Sequence, residues 1–297
     1  MHQLFDLLQP LRLTEIVDIG ANPIDGDPPY KTLLQSKLCK VTGFEPQLEA
    51  LEKLNTQKSD LEQYLPYAIA DGNMHTLKVC QYSGMTSLLE PDQNTFDNFI
   101  ALKANATVME RVLISTCKLD DIDEIQALDF LKIDIQGAEL SVFLSGKEKL
   151  RNAVVIQTEI SFVTLYENQP SFGEIDIELR SQGFIPHCFA AVKKWPISPF
   201  MYENEPLRGV NQLLEADIVY VRDFTQPQKI DNEQLKHLAM IAHCCYQSFD
   251  LTLRCINLLE QRAALPANTQ QLYINMLNGS HHVCLLYTSP SPRDQRG

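Results

Sequence analysis

Glycine is scarce in this chain, 12 in 297 residues, and no G-x-G-x-x-G run opens a helix behind an apolar strand. A dinucleotide pyrophosphate is held by such a run, so a nicotinamide dehydrogenase is disfavoured. Basic side chains are outnumbered, 25 Lys and Arg against 38 Asp and Glu, and they form no block. A phosphate backbone is bound by clustered cations, so nucleic acid is not an expected partner. No apolar run approaches the ~20 residues of a membrane span. The first residues, Met1-His2-Gln3-Leu4-Phe5-Asp6, lack the basic-then-apolar order of a secretory leader. The expectations are no membrane and a cytoplasmic location. The eight cysteines (Cys39, Cys80, Cys117, Cys188, Cys244, Cys245, Cys255 and Cys284) form no C-x-x-C, and His243-Cys244-Cys245 lacks a second ligand pair. They read as reduced side chains packed as small apolar groups, and no metal site is expected.

What is present is a soluble, globular composition, 44% hydrophobic and 21% charged. Strand-like runs alternate with helical ones, which predicts an α/β fold with a mostly parallel sheet. Ile16 to Gly20 reads as the first strand and Lys40 to Glu45 as the second. Tyr67 to Ala70 reads as the third, Phe130 to Asp134 as the fourth and Ala153 to Ile160 as the fifth. Phe184 to Val192 and Ala216 to Val221 would be the last two. His75 to Cys80 and Arg111 to Thr116 read as extended additions. Asp27-Pro28-Pro29 has the chemistry of a helix start, with Asp27 as N-cap and proline in the first turn. Gln47 to Thr56, Leu119 to Ala127 and Phe172 to Gln182 read as further helices, the last stopped by Gly183. From Asn232 onward, Leu235, Leu238 and Ile241, then Leu251, Ile256 and Leu259, recur at helical spacing. The domain reading is a main unit over 1–227, a helical appendage over 228–280 and an unpacked tail over 281–297, native or a cloning remnant.

The first two strands carry the most information. Asp18-Ile19-Gly20-Ala21-Asn22 makes a turn at the end of one, and Glu45-Pro46 ends the other. In an open parallel sheet these ends are neighbours, and a nucleoside-bearing ligand lies across them. Glycine lets backbone pass close to such a ligand, and the Glu45 carboxylate can accept both hydroxyls of a ribose. A ribose acceptor without a pyrophosphate cradle points to S-adenosylmethionine. Asp134, ending the fourth strand in Phe130-Leu131-Lys132-Ile133-Asp134, would project into the same crevice.

These segments together carry a resemblance. D-I-G-A-N, then F-E-P, then L-D-D-I, then F-L-K-I-D-I-Q-G-A-E-L is similar to the FkbM family of class I S-adenosylmethionine-dependent methyltransferases, over roughly residues 14–225. The resemblance implies a Rossmann-like sheet whose last two strands are antiparallel to each other. It also implies methyl transfer to oxygen on a small hydroxylated acceptor such as a sugar, a glycan or a polyketide. Two positions depart from the family. Ile24 stands where a glycine is usual, and Gln136 where glutamate is common, which removes one acid/base group.

The cofactor residues expected are Asp18, Gly20, Ala21, Asn22, Glu45, Pro46, Asp71, Gly72 and Asp134. Asp18 would fix the first loop or accept from the amino-acid part of the cofactor. Asp71, before Gly72, would face the adenine amine, unless the pair only makes a turn. On the acceptor side Asp134 and Glu159 are the catalytic candidates, since a strand-end carboxylate can bind a hydroxyl and take its proton. Glu139 can equally be a carboxylate at a helix N-terminus. His187 can equally be a structural histidine. Trp195 would wall the acceptor pocket or cap the core. Thr86-Ser87 would approach the ligands or make a plain turn. Asp27-Pro28-Pro29-Tyr30 matches the D-P-P-Y of amino-group methyltransferases, but it follows the first strand rather than the fourth. The competing functions are nitrogen or carbon methylation of a small metabolite, and a catalytically silent relative that binds cofactor. The oligomeric state is not readable.

Overall fold

Seven strands form the main sheet of the computed structural model, which describes residues 1–22, 26–205 and 207–278. They are β1 (Thr14–Ile19), β2 (Cys39–Phe44), β3 (Glu62–Leu65), β7 (Phe130–Ile133), β8 (Val155–Ser161), β9 (Phe184–Lys194) and β10 (Leu213–Arg222). A small second sheet holds β4 (Ala68–Ala70), β5 (Met74–Cys80) and β6 (Val108–Lys118). The main order is β3-β2-β1-β7-β8-β10-β9. Strands β3, β2, β1, β7 and β8 run parallel, and β10 pairs antiparallel with both β8 and β9. The mostly parallel sheet with a reversed last strand is the one expected. The order turns back between β2-β1 and β7, which places the crevice at the carboxyl ends of β1 and β7.

The parallel strands are apolar on both faces because helices cover both. On one face Val17, Ile19, Leu131, Ile133 and Ile156 pack against Val142, Phe143, Ile175 and Leu179. Those four lie on helices Glu139–Ser145 and Phe172–Ser181. A capping box starts the second of these: Ser171 accepts from the Glu174 N–H while Glu174 accepts from the Ser171 N–H. On the other face Ile16, Phe130, Val155, Val219 and Val221 join one apolar cluster with Leu235, Leu238, Ile241, Ile256 and Tyr273. Helices Asn232–Tyr246, Phe249–Gln261 and Thr269–Asn278 form the C-terminal helical segment expected, and it packs on this face of the sheet. Asp231 and Gln234 form a capping box at the start of the first of the three. The expected tail over 281–297 and the departure at Ile24 lie outside the described residues.

Three local readings are corrected. The third strand of the main sheet is Glu62–Leu65, and Ala68–Ala70 belongs to the small sheet, paired with Thr116 to Lys118. The first loop runs on to a helix at Lys31–Gln35, and Asp27 takes an ion pair from Lys31 (2.5 Å) rather than capping the helix. Between Leu119 and Ala127 only a 3-10 turn forms, at Leu119–Asp121. Among the described residues no helix is long and apolar enough to cross a membrane.

Candidate active site

Two clefts open at the carboxyl ends of β1, β2 and β7, and Asn22 and Asp134 line both. The first lies between the strand ends and the small sheet. Its floor is Gly20, Asn22, Glu45, Pro46 and Asp134. Its walls are Phe44, Tyr67 and Ile69 on one side and Leu77, Thr86, Ser87 and Leu88 on the other. The rings of Phe44 and Tyr67 stack with centroids 6.3 Å apart.

The floor is shaped by close backbone contact. Gly20 has φ +79°, and a Cβ there would stand 2.0 Å from the Asp134 carbonyl oxygen, so only glycine fits. The Gly20 and Ala21 N–H groups both donate to the Phe44 carbonyl (3.1 Å each), tying the first loop to the end of β2. Glu45 is 3% exposed. Its Oε1 accepts from the Gln47 N–H at 2.7 Å. Burial raises its pKa above the usual carboxylate value, against the backbone N–H of Gln47.

Beyond Asp134 stands a connected set of buried polar groups. Gln136 adopts φ +58°, a conformation uncommon for a residue with a side chain. Its Nε2 donates to Asp134 Oδ1 (2.8 Å) and to Glu159 Oε2 (2.9 Å). Its Oε1 accepts from Tyr166 (3.3 Å), and its backbone carbonyl from Ser87 (2.6 Å). Both amide N–H donors are thus used and the amide oxygen accepts one bond. Lys193 donates to Glu159 at 2.9 Å and stands 3.5 Å from Glu215. Two buried glutamates thus share one ammonium. Burial raises both carboxyl pKa values, and Asp134 adds to the rise in each. The surrounding carboxylates raise the pKa of Lys193 against its own burial.

The expected residues are divided by this geometry. Gly20, Asn22, Glu45, Pro46 and Asp134 line the first cleft. Asp18 and Ala21 line the second. Asp18 accepts from Tyr30 (2.6 Å) and lies 3.2 Å from Lys132 Nζ, which fixes the first loop. Asp71 and Gly72 line neither cleft. The strand before them belongs to the small sheet, and Asp71 accepts from Asn73 (2.9 Å) and binds His75 (2.7 Å). Those bonds hold its pKa below the usual value despite the opposing effect of burial. Glu159 lies behind Gln136 rather than on the cleft surface.

Glu139 sits in the first turn of its helix, and its Oε1 accepts from the Ile135 and Gly137 N–H groups (3.0 and 3.2 Å). Burial pushes its pKa up to about 7. It braces the loop that carries Gln136. His187 is outside the site, with Nε2 2.7 Å from Ser248 Oγ. Trp195 packs on the apolar cluster of Phe96, Phe99 and Leu214. Thr86 and Ser87 do reach the first cleft.

Tyr30, Lys132, Lys193, Glu215 and Tyr166 were missed. Lys132 had a signal: it interrupts an apolar strand on the same face as Phe130. Lys193 and Glu215 meet only through the β9–β10 register, which no local pattern reveals. Among the described residues no three His, Cys, Asp or Glu side chains stand where they could share a metal ion.

The methyltransferase FkbM domain model matches residues 18–186. No curated protein matches the sequence. Similar solved structures include magnesium protoporphyrin IX methyltransferase from Synechocystis PCC 6803 with bound SAM. It is 8% identical, with 74% of this chain and 78% of that one covered and a TM-score of 0.37. A putative methyltransferase from Thermoplasma acidophilum is 9% identical, with 71% and 69% covered and a TM-score of 0.36. A putative S-adenosylmethionine-dependent methyltransferase from Listeria monocytogenes is 10% identical, with 74% and 95% covered and a TM-score of 0.35.

Proposed function

We propose that this chain, which belongs to the FkbM methyltransferase family, transfers a methyl group from S-adenosylmethionine to a hydroxyl of a small acceptor. The observation that carries the reading is the glycine-only passage at Gly20 beside the buried Glu45, both on one cleft. A nucleoside fits such a floor. Glu45 would accept from the ribose hydroxyls. Phe44, Tyr67 and Ile69 offer an apolar slot for a purine. Asn22 and Asp134 stand where an amino-acid end would lie. When bound, S-adenosylmethionine supplies a methyl group on a positively charged sulfur.

The chain's own contribution is placement and proton removal. Asp134 is delivered from the end of β7, and the Gln136 amide fixes its Oδ1. A rigid strand end and a satisfied amide together hold the carboxylate in one orientation. It would accept the proton of the acceptor hydroxyl. Glu159, held by Gln136 and Lys193, sets the field around it.

The test has two parts. Calorimetry should show binding of S-adenosylmethionine and S-adenosylhomocysteine to the purified chain. Labelled cofactor offered with a panel of hydroxylated metabolites should then label at least one of them on oxygen. Binding without transfer to any acceptor would favour a silent relative, and label on nitrogen or carbon would correct the acceptor atom.

A further inference from the structure

The second cleft is where the sheet changes character. Low on the face covered by the C-terminal helices, Ile16, Phe130 and Val155 are buried in an apolar cluster. Two residues further along the same strands, on the same face, stand Asp18, Lys132 and Gln157. The register aligns Asp18 with Lys132, and Lys132 with Gln157, so they form a row across β1, β7 and β8. Asp217 on β10 continues the floor. Polar groups in the middle of a sheet face cost free energy unless they are partnered or wet. Tyr30 donates to Asp18 and Tyr246 to Gln157 Oε1 (2.8 Å) from above the row, which still lines the second cleft. Asp18 is 2% exposed; its Oδ2 accepts from Tyr30 at 2.6 Å, and among the described residues its Oδ1 has the ion pair with Lys132 Nζ at 3.2 Å as its polar contact.

We propose that this second cleft is the acceptor chamber, and that it admits neutral polyhydroxylated rings while rejecting anionic ones. The inference rests on the methyltransferase reading above. Asn22 and Asp134 line both clefts, so a ring seated here presents a hydroxyl at Asp134, where the two clefts meet, in line with a methyl group carried from the cofactor side. Pro28, Pro29, Tyr30 and Tyr64 give flat apolar walls for the C–H faces of a ring. The floor offers carboxylate and amide oxygens to its hydroxyls.

Charge sets the exclusion. Asp18, Asp27, Glu62, Asp134 and Asp217 line the chamber against Lys31, Lys58 and Lys132. Lys31 is engaged with Asp27 at 2.5 Å and Lys132 with Asp18 at 3.2 Å. A phosphate or carboxylate entering this cleft meets a net negative lining in which two of three cations are already paired.

The experiment is saturation-transfer NMR on the full chain, with and without S-adenosylhomocysteine. The probes are methyl α-glucoside and glucose 6-phosphate. Gln35→Trp and Gln57→Trp, at exposed positions on two helices that line the chamber, serve as blocking variants. The expected result is transfer to the glucoside, none to the phosphate, and binding at least tenfold weaker in both variants at unchanged melting temperature. The proposal is overturned if neither probe shows transfer, if the phosphate binds as well as the glucoside, or if both variants bind like the parent chain. Calorimetry with S-adenosylhomocysteine on the same samples separates the two readings. A chain that fails to bind it sinks the methyltransferase reading, while one that binds it with an empty probe result sinks only the chamber.

Discussion

Two clusters of buried charge stand at opposite ends of the same sheet, and they differ in how their charges are matched. At the amino ends of β1 and β7, Asp129 accepts from Arg12 twice (2.5 and 2.8 Å) and from the Glu15 N–H (2.8 Å). One carboxylate meets one guanidinium and a backbone donor. At the carboxyl ends, Asp134, Glu159 and Glu215 meet one ammonium, Lys193, and one amide, Gln136. The first arrangement is neutral and closed. The second carries excess acid and reaches a cleft through Asp134. Burial raises the pKa of Glu159 and Glu215, with a further rise from Asp134, so the carboxyls at this end are displaced from their usual range, while at the other end Asp129 ties Arg12 to the Glu15 N–H.

The largest effect should come from the acidic end. Asp134→Asn keeps the volume and removes the charge. Turnover should fall by about 10²-fold or more, the usual scale for a positioned acid/base group, with little change in melting temperature. A mutant that melts early while its folded fraction turns over normally would make Asp134 a brace. Gln136→Glu sharpens the same point. It would put a third carboxylate against Asp134 and Glu159 and abolish both donated bonds. The acidic limb of the pH–rate profile should move to higher pH, because like charges favour protonation. A profile that stays in place would detach Gln136 from the reacting group.

Cofactor binding comes next. Glu45→Ala removes a charge-assisted contact worth on the order of 1.5–3 kcal/mol. Calorimetry should then read roughly a ten- to hundredfold loss of affinity for S-adenosylhomocysteine. An unchanged affinity would leave the ribose without its partner.

The closed cluster should fail in the opposite manner. Asp129→Ala leaves the Glu15 N–H without its acceptor and Arg12 without its partner. The Arg12 side chain is 40% exposed and can turn to water, so the cost falls mainly on the backbone donor, about 1–3 kcal/mol. Melting should drop by several degrees, while turnover per folded molecule holds. Loss of turnover at full stability would break the contrast between the two ends.

The contrast also marks what the sequence could disclose. Strands β1, β2, β7 and β8 are buried between helices, so they read as apolar runs; β2 and β7 are followed by an acid that reaches the crevice, and β8 carries Glu159 near its end. Their ends, Gly20, Glu45 and Asp134, were therefore legible. Strand β3 closes the sheet edge as Glu62-Gln63-Tyr64-Leu65, with no residue fully buried, so it needs little apolar character and shows only the pair Tyr64-Leu65. The apolar Tyr67 to Ala70 drew the assignment instead, and Asp71 with it. The helix start was misread because Asp27 has a stronger local partner in Lys31. Glu159 was found, but its partners Lys193 and Glu215 come from two later strands, joined only by register. Distant pairing is decided by the whole fold, and no window along the chain contains it.

The smallest effect tests the closed end by titration. His237 is 1% exposed, with Nδ1 3.1 Å from Thr14 Oγ1 and 3.8 Å from Asp129. Its Nε2 has no partner among the described residues. Burial lowers its pKa, and the attraction of Asp129 opposes that only in part. The native state therefore holds the imidazole neutral at a pH where the unfolded chain has begun to protonate it. Stability rises with pH wherever the unfolded state binds more protons. The contribution is thus full above the unfolded value of about 6.5 and shrinks as the pH falls below it. Melting temperature followed from pH 8 to pH 5 should fall on the acid side in the parent chain, and fall less in His237→Phe. Equal slopes in the two proteins would show that the acid loss comes from other groups. A steeper loss in the variant would mean that His237 is held charged by Asp129, and the cluster at this end would then be no more neutral than the one at the other.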